Sequence, residues 1–193
     1  RRYSDMVKKV AATERAIGVK GHALAEAVAR YYFKLLAVKD EYEVMRLWSS
    51  DAFRRQIEAE FEGNYKLQFH LSPQLFFPRD KDTGRFRKFT IHRWLFAVLK
   101  QLRHFKFLRG TPLDIFNKTA HRKRERALIA DYEAVLDELL RDLTPENLEL
   151  AVQIAEIPEH IRGFDIVKES QQAAAKDKEA ELLATFRARV EVG

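Results

Sequence analysis

The sequence predicts a mostly helical α+β domain, built around one long central helix with a single small antiparallel β-hairpin. Apolar residues recur at three- and four-residue spacing over most of the chain, which is the period of an amphipathic helix. Only the stretch 65–71 clearly alternates apolar and polar residues, as a half-buried strand does. Hydrophobic residues make up 46% of the 193 positions, enough for a buried core, so we expect a single domain over 1–193.

Four helices are predicted in the first third of the chain. The second carries a stripe of aromatic and aliphatic residues that should be buried. Asp40, followed three residues later by Glu43, resembles a capping box and predicts the start of the third. Gly63 is placed to end the fourth in a left-handed conformation. In chain order the predicted helices cover 4–16, 22–37, 41–48 and a stretch that begins at Ser50 or Asp51.

The strand at 65–71 should pair with a second short strand at 85–89, across a turn in the polar run 79–84. Helical spacing then returns over 90–106. We expect one side of this helix to be buried and the other to be cationic. The buried side is predicted to hold Trp94, Leu95, Val98, Leu99, Leu102 and Phe105, and the other side Arg93, Lys100, Arg103 and Lys106.

The central helix is predicted within 108–143. A turn precedes it, in which Gly110 supplies a positive φ and Asp114 caps locally. Thr119 is the predicted N-cap. The apolar stripe that follows consists of Leu128, Tyr132, Val135, Leu136, Leu139 and Leu143.

Two further helices are predicted after the central one. Thr144 is a favourable N-cap and Pro145 suits the first helical position, so a short helix should begin there and end before Ile157. A last helix is expected from about residue 165, with alternating charges typical of solvent exposure.

Charge is distributed unevenly along the chain, whose formal net charge is +6. Residues 1–84 carry 15 basic and 12 acidic groups, residues 85–126 carry 13 and two, and residues 127–193 carry seven and 15. This pattern indicates either that the acidic tail folds back on the basic middle or that the middle meets an external anion. The candidate docking residues for such an anion are Arg103, Lys106, Arg109, His121, Arg122, Lys123, Arg124 and Arg126.

The sequence contains no recognisable catalytic motif. The absence of cysteine excludes disulfides, thiolate zinc sites and cysteine-held iron–sulfur clusters. The six histidines are too far apart in sequence to act as local metal ligands on one helix face. The acidic residues of 131–138 are interpreted as the polar face of a helix. We therefore predict no catalytic, cofactor-binding or metal-binding residue in this chain.

Two classes of partner are weighed on composition. The longest run without a charged residue, 67–78, is too short to span a bilayer, so no membrane partner is expected. Aromatic residues interleaved with cations, as in 103–109, are typical of nucleic-acid surfaces. Phe105 lies on the predicted apolar stripe, however, which makes nucleic acid the weaker hypothesis.

Five ordered stretches resemble the C-terminal region of the large single-chain indolepyruvate ferredoxin oxidoreductases. Together they extend over nearly the whole chain. They are YYFKLLAVKDEYEVMRL (31–47), FEGNYKLQFHLSP (61–73), LRGTPLDIFNKTAHRKRERALIADYE (108–133), LTPENLELAVQIAEIPEHIRGFDIVKE (143–169) and AAAKDKEAELL (173–183).

The resemblance implies that the chain is the C-terminal part of a longer multidomain enzyme, and the start at Arg1 without a methionine agrees with this expectation. The implied parent reaction is oxidative decarboxylation of an aryl 2-oxo acid such as indolepyruvate. Coenzyme A accepts the acyl group and ferredoxin the electrons. The thiamine diphosphate and the [4Fe–4S] clusters are implied to lie upstream, so no cofactor is expected in this segment.

We therefore expect a non-catalytic structural and assembly domain that packs on the upstream catalytic domains of the same chain. The full-length enzyme is expected to be a cytoplasmic homo-oligomer. The alternative is a basic docking module for ferredoxin or for the phosphates of coenzyme A.

Overall fold

The chain is mostly helical, as its sequence predicts. The structure, a computed structural model, describes residues 1–37, 40–71, 89–91, 93–114, 116, 120–162 and 166–192. These described residues form eight α-helices, two short strands and shorter 3-10 helices. No helix among them is both long enough and apolar enough to cross a membrane.

Backbone contacts divide the chain into two compact units. The first unit comprises Arg1–Val38 and Glu125–Gly193, and the second comprises Lys39–Arg124. The division falls inside one helix, α6, which spans Ala120–Arg141. The expectation of a single domain over 1–193 stays a prediction.

The first unit is built from helices drawn from both ends of the chain. Besides the part of α6 from Glu125 onward, it contains five helical segments. These are α1 (Arg2–Ala16), α2 (Ala23–Leu36), α7 (Leu148–Ala155), a 3-10 helix (Ile157–His160) and α8 (Ile166–Val192).

The core of the first unit is formed where α2, α6, α7 and α8 bury their apolar sides. Tyr32, Tyr132 and Phe186 are the largest fully buried side chains there, and the rings of the two tyrosines stack with centroids 6.1 Å apart. The stripe predicted for the central helix is buried at Leu128, Tyr132, Leu136, Leu139 and Leu143, and Val135 packs at the edge of the core. The sequence therefore placed this stripe correctly.

The junction between α1 and α2 depends on a buried carboxylate. His22, the N-cap residue of α2, makes no side-chain capping hydrogen bond. Glu14 of α1 takes that role, since its Oε1 accepts from the Leu24 amide at 3.0 Å and its Oε2 from the Ala25 amide at 3.1 Å. The first amides of a helix lack intrahelical partners, so Glu14, which is only 1% exposed, satisfies two buried donors.

The start of α7 differs from the prediction. The helix begins at Leu148 with Asn147 as N-cap, not at Pro145 with Thr144 as N-cap. Asn147 is buried, accepts a hydrogen bond from the Thr144 amide and donates one to the Asp142 carbonyl, each at 2.8 Å. The asparagine side chain thus closes a turn over the residues that the sequence assigned to the first helical turn.

The second unit contains shorter elements. They are α3 (Glu41–Trp48), α4 (Asp51–Glu60), β1 (Phe69–Leu71), β2 (Phe89–Ile91), α5 (Arg93–Leu99) and a 3-10 helix (Lys100–Leu108) that continues from α5. The predicted span of α3 is confirmed, and Ser50 caps α4 by accepting from the Phe53 amide.

The two strands pair antiparallel, with Phe69 opposite Ile91 and Leu71 opposite Phe89. β1 is shorter than the predicted strand 65–71, because only its last three residues pair. The helix predicted over 90–106 was wrong at its start and in its type, since Thr90 belongs to β2 and the helix changes to 3-10 geometry at Lys100.

An aromatic cluster packs α3, β1 and α5 together. The Phe69 ring stacks on that of Phe96 with centroids 4.5 Å apart and an interplanar angle of 4°, and it lies 4.7 Å from the Trp48 ring. On the other side of α3, Tyr42 is buried and meets the Phe116 ring edge-on at 5.2 Å. These contacts fix which side of α5 faces inward.

Some predictions fall on residues outside the described part of the chain. They are the N-cap at Thr119, the turn at 79–84 and the strand residues 85–88.

Candidate functional site

The eight predicted docking cations are distributed over both units. Arg103, Lys106 and Arg109 lie on the second unit's 3-10 helix and the residue after it. The other five lie in the first two turns of α6, where the unit division separates Arg126 from the rest. They are His121, Arg122, Lys123, Arg124 and Arg126, and the side chain of His121 lies outside the described part of the structure.

Arg109 is paired inside the second unit. Its Nε lies 2.6 Å from Asp40 Oδ2 and its NH2 group donates to Asp40 Oδ1 at 2.8 Å, so the pair is bidentate. The same Oδ1 accepts from the Glu43 amide at 2.8 Å, which makes Asp40 the predicted N-cap of α3. One carboxylate therefore caps a helix and holds an arginine that comes 69 residues later in the chain.

The first turn of α3 pairs with two more arginines. Arg122 donates to Glu41 Oε2 at 3.2 Å, and Arg46 donates to both carboxylate oxygens of Glu43 at 2.9 and 2.6 Å. The Arg46 hydrogen bonds lower the pKa of Glu43, and the nearby positive charges add to this effect against the opposing effect of burial. Acidic side chains also suit a helix N-terminus, where the helix dipole is positive. Part of the predicted cationic surface is thus already paired within its own unit.

The remaining docking cations of the second unit differ in how far their side chains are exposed. Arg103 is half-buried, with its Nε 2.9 Å from His104 Nε2 and its NH1 3.5 Å from Ser49 Oγ. Lys106 and Lys123 have exposed side chains. Arg124 and Arg126 are also exposed, and Lys106 and Lys123 are the two exposed lysines among the sequence-predicted docking cations.

Exposed apolar side chains are concentrated in the second unit. Ten large hydrophobic residues among those described are exposed, and all but Phe33 and Val190 belong to this unit. Trp94, Val98, Phe105 and Phe107 are carried by α5 and the 3-10 helix, with 69%, 60%, 44% and 69% of their surfaces exposed. A patch of this kind typically marks an interaction site.

This exposure corrects the predicted buried stripe of 90–106. Trp94, Val98 and Phe105 face outward, whereas Lys100 and Arg103, expected on the polar side, are half-buried. The physical reason is the stacking of Phe96 on Phe69, which turns the opposite side of α5 toward solvent. Sequence reasoning missed these outward aromatic residues as functional candidates, although their interleaving with cations was the available signal.

A family comparison adds one further finding. Residues 1–181 match the profile of a family of unknown function, DUF6537. The chain belongs to the DUF6537 family. No curated protein and no solved structure matched it.

In this DUF6537 chain, the acidic residues of α6 serve to hold the first unit together. Glu133 accepts from Arg2 at 2.6 and 2.5 Å and also from the Tyr32 hydroxyl. Its pKa is lowered by the Arg2 hydrogen bonds and, less strongly, by the Tyr32 hydrogen bond, while burial opposes the shift. Two further ion pairs join Asp137 to Lys9 and Glu138 to Arg187. The predicted polar face of the central helix is therefore a face that binds α1 and α8.

The first unit of the DUF6537 chain also contains a small cavity. The space available to the centre of a water molecule is about 10 Å³, enough for about one water. Its polar lining is the ion pair between Lys176 and the largely buried Glu179, at 2.7 Å. Apart from that pair, the lining consists of Leu35, Leu128, Tyr132, Ile157, Pro158, Ile161 and Ala175.

Within the described residues, no three His, Cys, Asp or Glu side chains are grouped closely enough to hold a metal ion. The most distinctive surface of the described chain is instead the second unit's combination of exposed rings and basic groups.

Proposed function

We propose that this DUF6537 chain is a non-catalytic structural and assembly segment of a 2-oxo-acid ferredoxin oxidoreductase. The proposal combines two supports. Five ordered stretches resemble the C-terminal region of the large indolepyruvate ferredoxin oxidoreductases, from 31–47 to 173–183. The observation that carries the assembly role is the concentration of exposed apolar side chains on the second unit, while the first unit buries an extensive core.

The proposed parent enzyme decarboxylates an aryl 2-oxo acid such as indolepyruvate, with coenzyme A as acyl acceptor and ferredoxin as electron acceptor. Its thiamine diphosphate and [4Fe–4S] clusters belong, in this proposal, to segments upstream of Arg1. The parent is a cytoplasmic homo-oligomer, and the present segment is one domain arranged around α6 with β1 and β2 as a hairpin.

Deletion of this segment from the parent enzyme tests the proposal. An enzyme that ends before Arg1 should lose its native oligomeric state by sedimentation velocity, and its turnover should fall because the catalytic domains lose a packing partner. An unchanged sedimentation coefficient together with unchanged turnover would contradict the assembly role.

A second candidate is a basic docking module for ferredoxin or for the phosphates of coenzyme A. The second unit favours it, since that unit has 19 Lys and Arg residues against 10 Asp and Glu residues, and Lys106 and Lys123 are exposed. Cation-rich surfaces act mainly through steering that salt screens.

The docking module is tested by reversing the two exposed charges. Lys106→Glu with Lys123→Glu should raise the KM for the anionic partner and flatten its dependence on ionic strength. Lys20→Glu with Lys178→Glu, two exposed lysines of the first unit, makes the same change in net charge as a control. Equal kinetics for the two double variants would exclude docking at this surface.

A further inference from the structure

The outward side of α5 and the following 3-10 helix forms a continuous series of exposed positions. Residues 94, 97, 98, 101, 104 and 105 are exposed, and the spacing of 94 to 104 places them along one side of a helical rod, while exposure at 104–107 extends around its end. Three of them are large apolar groups, Trp94, Val98 and Phe105, and Phe107 lies beside Phe105 with ring centroids 6.1 Å apart. We call Trp94, Val98, Phe105 and Phe107 the outer stripe.

The inner side of the same rod is already in use. Phe96 stacks on Phe69, and Leu99, Leu102 and Leu108 are half-buried. Turning the rod to bury the outer stripe would break the Phe96 stack. With the described residues of the second unit packed in this way, the outer stripe stays exposed and is available to a partner from outside that packing.

The charges around the outer stripe restrict its partner. Residues 93–109 contain five Lys and Arg residues and one His but no Asp or Glu. A second copy pairing through the same stripe would bring two such segments together, and like charges facing each other are unfavourable. A partner that covers the stripe therefore needs carboxylates around its edge.

The exposed apolar side chains of the outer stripe favour a protein partner over a nucleic acid or a lipid surface. Binding to nucleic acid depends mainly on cations that contact phosphates. In the second unit at least three of the 19 Lys and Arg residues are held by carboxylates, Arg109 by Asp40, Arg122 by Glu41 and Arg46 by Glu43. The Trp and Phe side chains of the outer stripe could stack on the bases of a single strand, but together with Val98 they form the kind of apolar anchor that dominates the binding energy of protein interfaces.

We infer that the outer stripe docks into an apolar groove, rimmed by Asp and Glu, on a neighbouring protein surface, and that the upstream part of the proposed parent enzyme supplies this groove. Trp94 is the principal anchor, and Lys106 meets a carboxylate of the rim. This inference rests on the proposed function and assigns its contact surface.

Carbodiimide cross-linking of the complete parent enzyme tests the charged part of this contact. The reagent joins a lysine amine directly to a carboxylate that touches it. We expect mass spectrometry to find Lys106 linked to an Asp or Glu upstream of Arg1. Lys178, an exposed lysine of α8, is the matched control, and its yield of such links should be at least about fivefold lower. Equal yields for the two lysines would overturn the assignment.

Hydroxyl-radical footprinting tests the apolar part. Oxidation of Trp94, Phe105 and Phe107 should be at least about fivefold slower in the parent enzyme than in the 193-residue chain alone. Phe33, exposed in the first unit, is the reference and should change less than about twofold. In the Trp94→Asp variant the protection of Phe105 and Phe107 should be lost. Equal reactivity of the stripe in the two proteins would refute the contact.

The same footprint separates the competing partners. Phosphatidylserine vesicles and poly(U) are added in turn to the 193-residue chain, and neither should slow oxidation of Trp94. If either one protects Trp94 from oxidation, that ligand, and not a protein, is the partner of the outer stripe. Deletion of the segment could disrupt the parent enzyme even though the outer stripe is as reactive in the parent as in the 193-residue chain. In that case the proposed assembly role is retained and the contact through the outer stripe is rejected. If deletion changes nothing, the proposed function itself fails.

Discussion

At the scale of single residues, carboxylates accept the first amides of two helices, α2 and α3. Glu14 accepts two amides at the start of α2, and Asp40 accepts one at the start of α3. Glu14 differs because it reaches from another helix and is almost fully buried. A buried donor that loses its acceptor costs more than an exposed one, since water cannot replace the lost bond.

We therefore expect Glu14→Ala to lower the free energy of unfolding by about 2–4 kcal/mol, because two buried amides lose a charged acceptor. Urea unfolding followed by far-UV circular dichroism measures this change. Glu26→Ala, which removes an exposed carboxylate from the first turn of the same helix, should cost less than about 1 kcal/mol. Similar losses for the two variants would contradict the capping role of Glu14.

Glu133 gives the first unit a dependence on pH. Since the Arg2 and Tyr32 hydrogen bonds lower its folded-state pKa, the unfolded chain binds more protons when the solution reaches the ordinary carboxyl pKa of 4.5. The stabilisation is complete above that value and is lost as pH falls through the lowered pKa. The same contact and burial raise the pKa of Tyr32 to about 12, with burial the larger cause.

Glu133→Gln should therefore reduce the loss of stability between pH 6 and pH 3. Urea midpoints at several pH values measure the slope for the wild type and the variant. Glu181→Gln, at an exposed carboxylate of α8, is the control and should leave the slope nearly unchanged. A wild-type slope in the Glu133→Gln variant would rule out this origin of the acid sensitivity.

At the scale of elements, α3 organises the second unit by its acidic first turn. Asp40, Glu41 and Glu43 each pair with an arginine, and two of these arginines belong to the basic part of the sequence. Asp40 combines the roles of N-cap and ion-pair partner, and the two can be separated by substitution.

Asp40→Asn should retain the cap, because asparagine is as good an N-cap as aspartate, and lose only the ion pair with Arg109. Asp40→Ala loses both. We expect Asp40→Ala to lower the free energy of unfolding by about 1–2 kcal/mol and Asp40→Asn by less than about 1 kcal/mol. Tryptophan fluorescence measures both, because Trp48 and Trp94 lie in this unit. Equal losses would mean that the cap contributes nothing.

The elements also show which features the sequence could specify. The α3 span and the buried stripe of α6 follow from local capping and helical spacing, and both were predicted correctly. The orientation of α5 was not, because apolar residues occur on both of its sides. A contact with Phe69, which is distant in sequence, selects the Phe96 side. The turn closed by Asn147 was also missed. Thr144 and Pro145 precede it, and as a good N-cap followed by a proline they locally resemble a helix start.

The candidate site was predicted in part. The cationic residues were identified from composition, but the pairing of Arg109 with Asp40 and of Arg122 with Glu41 depends on long-range folding. Three residues of the outer stripe, Trp94, Val98 and Phe105, were assigned to the core because helical spacing alone does not distinguish a buried side from an exposed one.

At the scale of the whole molecule, the charge imbalance follows the two units. The second unit has nine more basic than acidic residues, whereas the first has 16 basic and 19 acidic residues. The division lies inside α6, and a helix unfolds cooperatively over its length. This supports the prediction that the chain unfolds as a single domain.

We accordingly expect tryptophan fluorescence, which reports the second unit, and far-UV circular dichroism, dominated by the helices of both, to give the same urea midpoint. Leu136→Ala, in the first unit's core, should lower the free energy of unfolding by about 2–5 kcal/mol and shift both midpoints together. A shift in the dichroism alone would show that the two units unfold independently.

The separation of charge between the units also affects how the binding of a partner to this chain can be measured. On a carboxylated biosensor chip at low salt, the strongly basic half would adsorb first and cover the outer stripe before any analyte arrives. Immobilisation through a tag on the acidic half, or measurement free in solution, avoids this artefact.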